Sequence, residues 1–306
     1  MSDNNVAVDP KKLLVILDYD EICYRLTGSQ FGYFKTSFAL TAVDLVPDFK
    51  SQIHPNERSE FNGRRQQILS ESSDRTEARH KIKLAEAFHT AISGWEDHKD
   101  CTHYFVRHIE NPHEKAQMME DLDRVAHSML PTKLWEPIEG LAKDIEDLRA
   151  MGAEVIIWTH GRREMVQRTL LQNGLYGIFS DDQIFDKQSL LKDGSPIGRK
   201  DKGPQNHHRV ISQHGALPEN TVLMDDTKAN HKSAAQAGVG LRVWVDLHKA
   251  DENKIIDFPK VKADSTSEGM KHIKSFLAQR NMELGNIPEA ANDMTKVQPA
   301  IKLGMI

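Results

Sequence analysis

Five consecutive apolar residues, Leu13-Leu14-Val15-Ile16-Leu17, run into Asp18-Tyr19-Asp20, two carboxylates separated by one residue. An unbroken apolar run of strand length predicts a strand buried on both faces, as parallel sheets require. In open α/β sheets, ligands bind beyond the carboxyl ends of the strands. Two acids placed there are costly unless a cation or a shared proton offsets them. Acid pairs at strand ends also serve as turns and helix caps, so the run marks a candidate site rather than a proven one.

The pattern returns along the chain. Val155-Ile156-Ile157-Trp158 predicts a second strand ending on Thr159-His160-Gly161, and Val222-Leu223-Met224 a third ending on Asp225-Asp226. Gly240 to Val245 predicts another, and Ile178-Phe179 and Gln183-Ile184-Phe185 are short strand candidates. Helix-period segments lie between: Pro137 to Met151, with Leu141, Ile145 and Leu148 on one face and Gly152 as terminator; Arg162 to Gln172, closed by Asn173-Gly174; His207 to His214; and Lys228 to Ala237. Lys200 to Pro204 reads as a polar loop, and Ser265-Thr266-Ser267-Glu268 as a capping box opening a last helix through Arg280. Strand, crossover helix and strand in repetition imply an α/β, Rossmann-like parallel sheet with helices on both faces.

The stretch between the first two strands has a different texture. It is helix-periodic, with few β-branched runs. Asp74-Arg75-Thr76-Glu77 resembles a capping box, and Asn111-Pro112-His113-Glu114 offers an N-cap, a first-turn proline and an acid to a helix stopping at Pro131. The expected organisation is core over 1–24, an all-helical cap over 25–133, core again over 134–284, and a loosely held tail over 285–306. Aromatic residues Phe31, Tyr33, Phe34 and Phe38 suit cap packing or a pocket wall. The arginines from Arg58 to Arg79 are interleaved with acids and suit a solvated face.

The bulk numbers exclude several classes. A net charge of −5 gives no sign of a nucleic-acid binder, so none is expected as a partner. No apolar segment is long enough for a membrane span, and Met1 to Lys12 lacks an apolar signal core, so a cytoplasmic location is expected. Cys23 and Cys101 are the only cysteines, which leaves no disulfide framework or cysteine metal site. The 15 histidines are scattered and read as surface or core residues. Oligomeric state is not legible.

Three strand ends would thus gather at one edge, with Lys202 in the preceding loop. The set suits phosphoryl transfer. Clustered carboxylates favour a hard cation, and Mg2+ takes oxygen ligands and bridges to phosphate. An aspartate can attack phosphorus, and a second acid two residues on can move the proton.

On these residues the chain resembles the haloacid dehalogenase-like phosphohydrolase superfamily. LLVILDYD matches the first motif, VIIWT the second, the lysine of KDKGP the third and VLMDD the fourth. The resemblance implies Asp18 as nucleophile and Asp20 as general acid/base. It implies Thr159 and Lys202, with His160 and Gly161, as the phosphate cradle. It implies Asp18, the main-chain carbonyl of Asp20, Asp225 and Asp226 as the Mg2+ set. Lys187, Lys192 and Lys200 compete with Lys202 for the third motif. Asn230 falls in the run after the acid pair, where the helix packs closely.

Departures are visible too. Glu21 stands where many members carry glycine, and the Asp-x-Asp-Glu form is closer to members that dephosphorylate proteins. The stretch Asp226 to Gly238 is closer to small-metabolite members. His160 stands where asparagine is frequent. The resemblance therefore implies an Mg2+-dependent phosphatase acting on a phosphorylated small molecule or on a phosphoprotein, at phosphotyrosine or phosphoserine/threonine. A phosphomutase and a non-catalytic phosphate-dependent binding protein stay open.

Overall fold

A computed structural model of the chain describes residues 7–26, 41–42, 45–46, 106–128, 135–172, 175, 177–186, 188–189, 202–246 and 261–286. The chain forms two compact units, one of Met1–Arg25 with Glu136–Ile306 and one of Leu26–Trp135. The expected helix from Asp74, the arginine run, the aromatic group Phe31 to Phe38 and the tail beyond Asn286 lie outside the described residues.

The first unit is built on a six-stranded sheet in the order β5-β4-β1-β6-β7-β8. Its strands are β1 (Leu13–Leu17), β4 (Ala153–Trp158), β5 (Ile184–Phe185), β6 (Thr221–Asp225), β7 (Leu241–Val245) and β8 (Val261–Ala263), and every pairing is parallel. All five residues of β1 are buried, as an inner strand flanked on both sides and covered on both faces must be.

Helices supply the cover. Leu14 and Ile16 join Ile156, Trp158, Val210, Ile211, Leu223 and Ala234 in one core cluster. Val210 and Ile211 come from α4 (Pro204–Gln213), and Ala234 from α5 (Lys228–Gln236). Elsewhere α2 (Leu141–Ala150) packs on β4, and α6 (Thr266–Glu283) on β7. Leu141, Ile145 and Leu148 of α2 and Met270, Ile273 and Leu277 of α6 are buried. Each such side chain contributes about 1.5–3 kcal/mol on burial. Lys274 of α6 joins the two helices through Asp144 and Asp147, both at 2.7 Å.

Several boundaries differ from the sequence expectation. Trp135–Pro137 is strand β3, not the start of a helix, and pairs with β2 (Tyr24–Leu26) in a two-stranded sheet. The edge of the insert, Arg25 and Leu26, is therefore strand rather than helix. Helix α2 begins four residues later, after Gly140 at φ 81°. Ile178 and Phe179 form no strand, and Gln183 ends a 3-10 turn, leaving two strand residues. Strand β8 was not foreseen, since Val-Lys-Ala is too short for a periodic signal. In the second unit, α1 (Pro112–Ser128) starts at Asn111, whose side-chain oxygen accepts from the main-chain N–H groups of His113 at 2.9 Å and Glu114 at 3.3 Å. Ser265 caps α6 by accepting from Glu268 N–H, while the Glu268 carboxylate reaches Asp264 N–H rather than that of Ser265. Among the described residues, no helix is long and apolar enough to cross a membrane.

Two polar features of this scaffold give measurable consequences. A Cβ on Gly240 would stand 2.1 Å from the Glu219 carbonyl oxygen, which is main chain and cannot swing away. Gly240→Ala is expected to lower unfolding free energy by about 2–3 kcal/mol in urea denaturation. Glu154 of β4 accepts from His214 at 2.8 Å and pairs with Lys12 at 2.7 Å. Burial would raise its carboxyl, but these two partners hold it down at about 2. A depressed carboxyl stabilises the fold above its ordinary pKa, and that contribution fades as pH falls toward the folded value. Glu154→Gln should therefore cost about 1 kcal/mol at pH 7, the pair being partly screened by solvent. The difference from wild type in urea midpoint should shrink steadily below pH 4.5.

Candidate active site

Register brings the site together. Leu17 of β1 is level with Ile157 of β4 and with Met224 of β6. The next residues are Asp18, Trp158 and Asp225, so three chain segments far apart in sequence deliver their polar ends to one edge of the sheet. Asp18 N–H continues the ladder by donating to the Met224 carbonyl at 3.0 Å. All the residues below belong to the first unit.

Lys202 stands just before Gly203 and α4, which Pro204 opens. Its Nζ donates to Asp18 Oδ1 at 2.9 Å and to Asp225 Oδ2 at 3.0 Å. Lys202 and Asp225 are buried, and Asp18 nearly so. Burial would lower the Lys202 ammonium, but Asp18 and Asp225 outweigh it and keep the group charged. Lys187, Lys192 and Lys200 lie outside the described residues.

The Asp225 carboxylate is fully engaged. Oδ1 accepts from Thr227 N–H at 2.7 Å, and Asn230 Nδ2 donates to Oδ1 at 3.1 Å and Oδ2 at 2.9 Å. Burial would raise its pKa, yet Lys202, then His231, Thr227 and Asn230, hold it below the ordinary carboxylate range. Asp18 moves the other way. Burial raises it well above the ordinary range, Lys202 offsets part of the rise, and Asp225, Asp226 and Asp20 add to it. Half-buried Asp226 is pushed up to about 6, by burial and by repulsion from Asp225 and Asp20.

Carboxylate oxygens of Asp18, Asp225 and Asp226 lie within 4.8 Å of one another. Two oxygens bound across one Mg2+ would stand about 4 Å apart, so the cluster is of the right size for a small divalent ion. The donors are all oxygen, as a hard cation requires. Two of the three carboxyls are raised, first by burial and then by like charge, and such a cation relieves the second. The residues fit Mg2+.

Asp20 adds no carboxylate to this cluster. It is half-buried, and its main chain forms an isolated parallel bridge with Tyr24. Glu21, which follows, has φ of 62°. That is the left-handed region, where a side chain costs about 1 kcal/mol or more. The turn is closed by Glu21 N–H to Tyr24 O at 2.7 Å and Cys23 N–H to Tyr19 O at 3.0 Å. Cys23 Sγ also lies 3.2 Å from the Asp18 carbonyl.

At the end of β4, buried Thr159 accepts from Gly161 N–H at 2.9 Å through Oγ1, which leaves its own hydroxyl proton for another acceptor. A Cβ on Gly161 would come within 2.8 Å of Met165 and 3.2 Å of Thr159 Oγ1, so the turn is drawn tight against its own threonine. His160 is half-buried in the same turn. Asp186, beyond β5, supports the turn by accepting from Arg163 N–H at 3.1 Å at the start of α3 (Arg163–Gln172).

Sequence reasoning missed four contributors. Asn230 was read as a packing residue, but it is a double donor to Asp225. His231 Nε2 meets the Asp225 carbonyl at 2.8 Å, and Trp244 Nε1 donates to the Asp226 carbonyl at 2.9 Å. His207 is fully buried, stacks edge-on against Trp158 with ring centroids 4.9 Å apart, and is held neutral by burial and by Lys202, its pKa lowered to about 3. The spacing of Asn230 and His231 from Asp225, within the first turn of a helix, was the one available signal.

Comparison with known proteins follows from this geometry. The model of the haloacid dehalogenase-like hydrolase family matches residues 99–243, which takes in the second, third and fourth motifs. Among solved structures, a haloacid dehalogenase-like hydrolase from Xanthomonas campestris matches at 14% identity and TM-score 0.44, over 92% of this chain and 100% of that one. A hydrolase of the same family from Deinococcus radiodurans, with bound phosphate and sodium, matches at 15% and 0.44, over 90% and 98%. An L-2-haloacid dehalogenase matches at 13% and 0.42, over 87% and 99%. At these scores no residue role is carried across. No curated protein matches the chain significantly in sequence.

The raised Asp226 carboxyl has a signed consequence. An acid raised on folding destabilises the fold where it is ionised, above about pH 6, and is neutral in effect below its ordinary value near 3.8. In chelator, Asp226→Asn should be more stable than wild type at pH 8 by about 1–2 kcal/mol, after allowance for partial exposure. The gap in urea midpoint should close as pH falls from 6 toward 4.

Proposed function

We propose that the chain, which belongs to the haloacid dehalogenase-like hydrolase superfamily, hydrolyses phosphomonoesters with Mg2+ by way of an aspartyl-phosphate on Asp18. The observation that carries the reading is Lys202 bridging Asp18 and Asp225, with Asp226 alongside. A nucleophilic carboxylate, a buried fixed cation and an oxygen-only metal set then occupy one strand edge.

In this reading Asp18, Asp225 and Asp226, with the Asp20 carbonyl, hold Mg2+. When bound, the ion offsets the repulsion between the Asp18 carboxylate and the phosphate dianion and withdraws charge from the phosphoryl oxygens. Asp18 Oδ attacks phosphorus, the ester P–O bond breaks, and Asp20 gives its proton to the departing alcohol. Asp20 then takes a proton from water, whose oxygen attacks the phosphorus and releases inorganic phosphate and the Asp18 carboxylate. The Thr159 hydroxyl, held in place by Gly161 N–H, the main-chain N–H of His160 and the Lys202 ammonium offer donors to the phosphoryl oxygens as charge spreads over them. Lys202 reaches Asp18 already in the resting geometry, so little reorganisation is needed.

Halide displacement is the competing chemistry suggested by the dehalogenase among the matches. It needs a carboxylate nucleophile, but a halide leaves without a proton and without a metal. It therefore needs no proton donor for the leaving group and no metal set, whereas phosphoester hydrolysis employs Asp20 as an acid and Asp225 and Asp226 as metal ligands. The substrate itself is a phosphorylated small molecule or a phosphoprotein.

The test is turnover of p-nitrophenyl phosphate. Wild type should hydrolyse it with Mg2+ and stop in EDTA. Asp18→Asn should lose at least about 1000-fold in kcat, and Asp20→Asn about 100-fold or more. Undiminished hydrolysis by Asp18→Asn, or release of halide rather than phosphate across a substrate panel, would overturn the assignment. A panel of phosphometabolites and phosphotyrosine and phosphoserine peptides then separates the two substrate classes.

A further inference from the structure

The acid pair Asp225-Asp226 sits where the sheet ladder runs out. Asp225 is the last residue of β6 and is level with Trp244 of β7. At the end of this ladder the carbonyls of both acids also take side-chain N–H groups. His231 of α5 serves Asp225 at 2.8 Å, and Trp244 serves Asp226 at 2.9 Å. The two donors come from the helix that follows the pair and from the strand beside it.

We propose that His231 and Trp244 are positioning residues that set the affinity of the acid pair for Mg2+ by fixing its two main-chain carbonyls. This rests on the phosphatase reading above. Neither side chain touches the carboxylates through these bonds. Each holds the peptide unit from which a carboxylate projects, and so fixes the aim of Asp225 and Asp226 toward a shared ion.

Two features single out these residues. A carbonyl only accepts, so His231 Nε2 carries the ring proton and Nδ1 is bare. Nδ1 is buried without a partner, a cost that leucine at this place would avoid. The histidine contributes its one N–H at the expense of the other nitrogen. Trp244 is buried and constrained further by Lys228 Nζ, 4.7 Å from the ring centroid, and Lys262 Nζ, 5.4 Å from it. These contacts fix the plane of the indole and hence the direction of its N–H.

Outer residues of this kind change metal affinity by about 10–100-fold when removed. The experiment is Mg2+ titration of the full chain by calorimetry, with the fold checked by circular dichroism. His231→Leu and Trp244→Phe each remove the N–H and keep an apolar side chain, and both should weaken Mg2+ binding about 10-fold. His231→Gln places an amide N–H as many bonds from the main chain as Nε2, and should stay within about twofold of wild type. With p-nitrophenyl phosphate, the half-saturating Mg2+ concentration should rise by the same factor in the first two variants, while kcat at saturating Mg2+ stays near wild type. A purely structural role would instead lower thermal stability and kcat and leave Mg2+ affinity alone. Folded His231→Leu and Trp244→Phe proteins that bind Mg2+ as wild type does overturn the proposal, and Trp244→Phe decides alone if the leucine variant does not fold. A wild-type chain that binds no Mg2+ overturns the phosphatase reading and this proposal together. A wild type that binds it, beside variants that bind it equally, overturns only this one.

Discussion

One ammonium group makes the site possible. Asp18 and Asp225 are brought face to face by strand register, in a setting with little water to separate their charges. Lys202 stands between them at 2.9 and 3.0 Å. Removing a single member of such a buried ion set leaves an uncompensated charge, which typically costs about 3–5 kcal/mol. The lysine therefore favours closure of the sheet at this edge. The division of labour between the acids follows from the same bond. Asp225 is held by Lys202, Thr227 and Asn230 and stays ionised, whereas Asp18 is raised by burial and by its acidic neighbours despite Lys202. An acid raised in this way is suited to a cation partner.

Around this centre the scaffold works by aiming main chain more than by adding side chains to the pocket. Gly161 N–H orients Thr159, Asp186 anchors the start of α3, and Glu21 in its left-handed conformation turns the chain after Asp20. His231 and Trp244 continue that logic at the acid pair. Each of these groups removes a degree of freedom from a residue at the strand edge.

What the sequence disclosed and what it hid divide along physical lines. Inner strands such as Leu13–Leu17 and Val155–Trp158 were legible because burial on both faces leaves no polar residue to blur the run. The acids after Leu13–Leu17 and Val222–Met224 were legible because a carboxylate after such a run is costly and therefore informative. Val261–Ala263 was hidden, since an edge strand of three residues with an exposed lysine carries neither period nor continuity. Pro137 misled because proline suits both a first helical turn and a strand end, and only pairing with Tyr24–Leu26 decides between them. Asn230, His231 and Trp244 were hidden for another reason. Their roles are hydrogen bonds to Asp225 and Asp226, and beyond the spacing of Asn230 and His231 from Asp225 no pattern marks a side chain that serves another residue's carboxylate or carbonyl.

The order of strands has a consequence for how the molecule is assembled. Asp18 enters the chain early, and as a solvated carboxylate it carries no penalty. The penalty arises only when β6 docks beside β1 and brings Asp225 up to it, a contact spanning most of the chain. Lys202 belongs to the same contiguous stretch as Asp225, 23 residues before it. The compensating cation therefore travels with the acid that creates the need for it. In the folded chain the segment that brings Asp225 to Asp18 thus also brings the cation that offsets their repulsion.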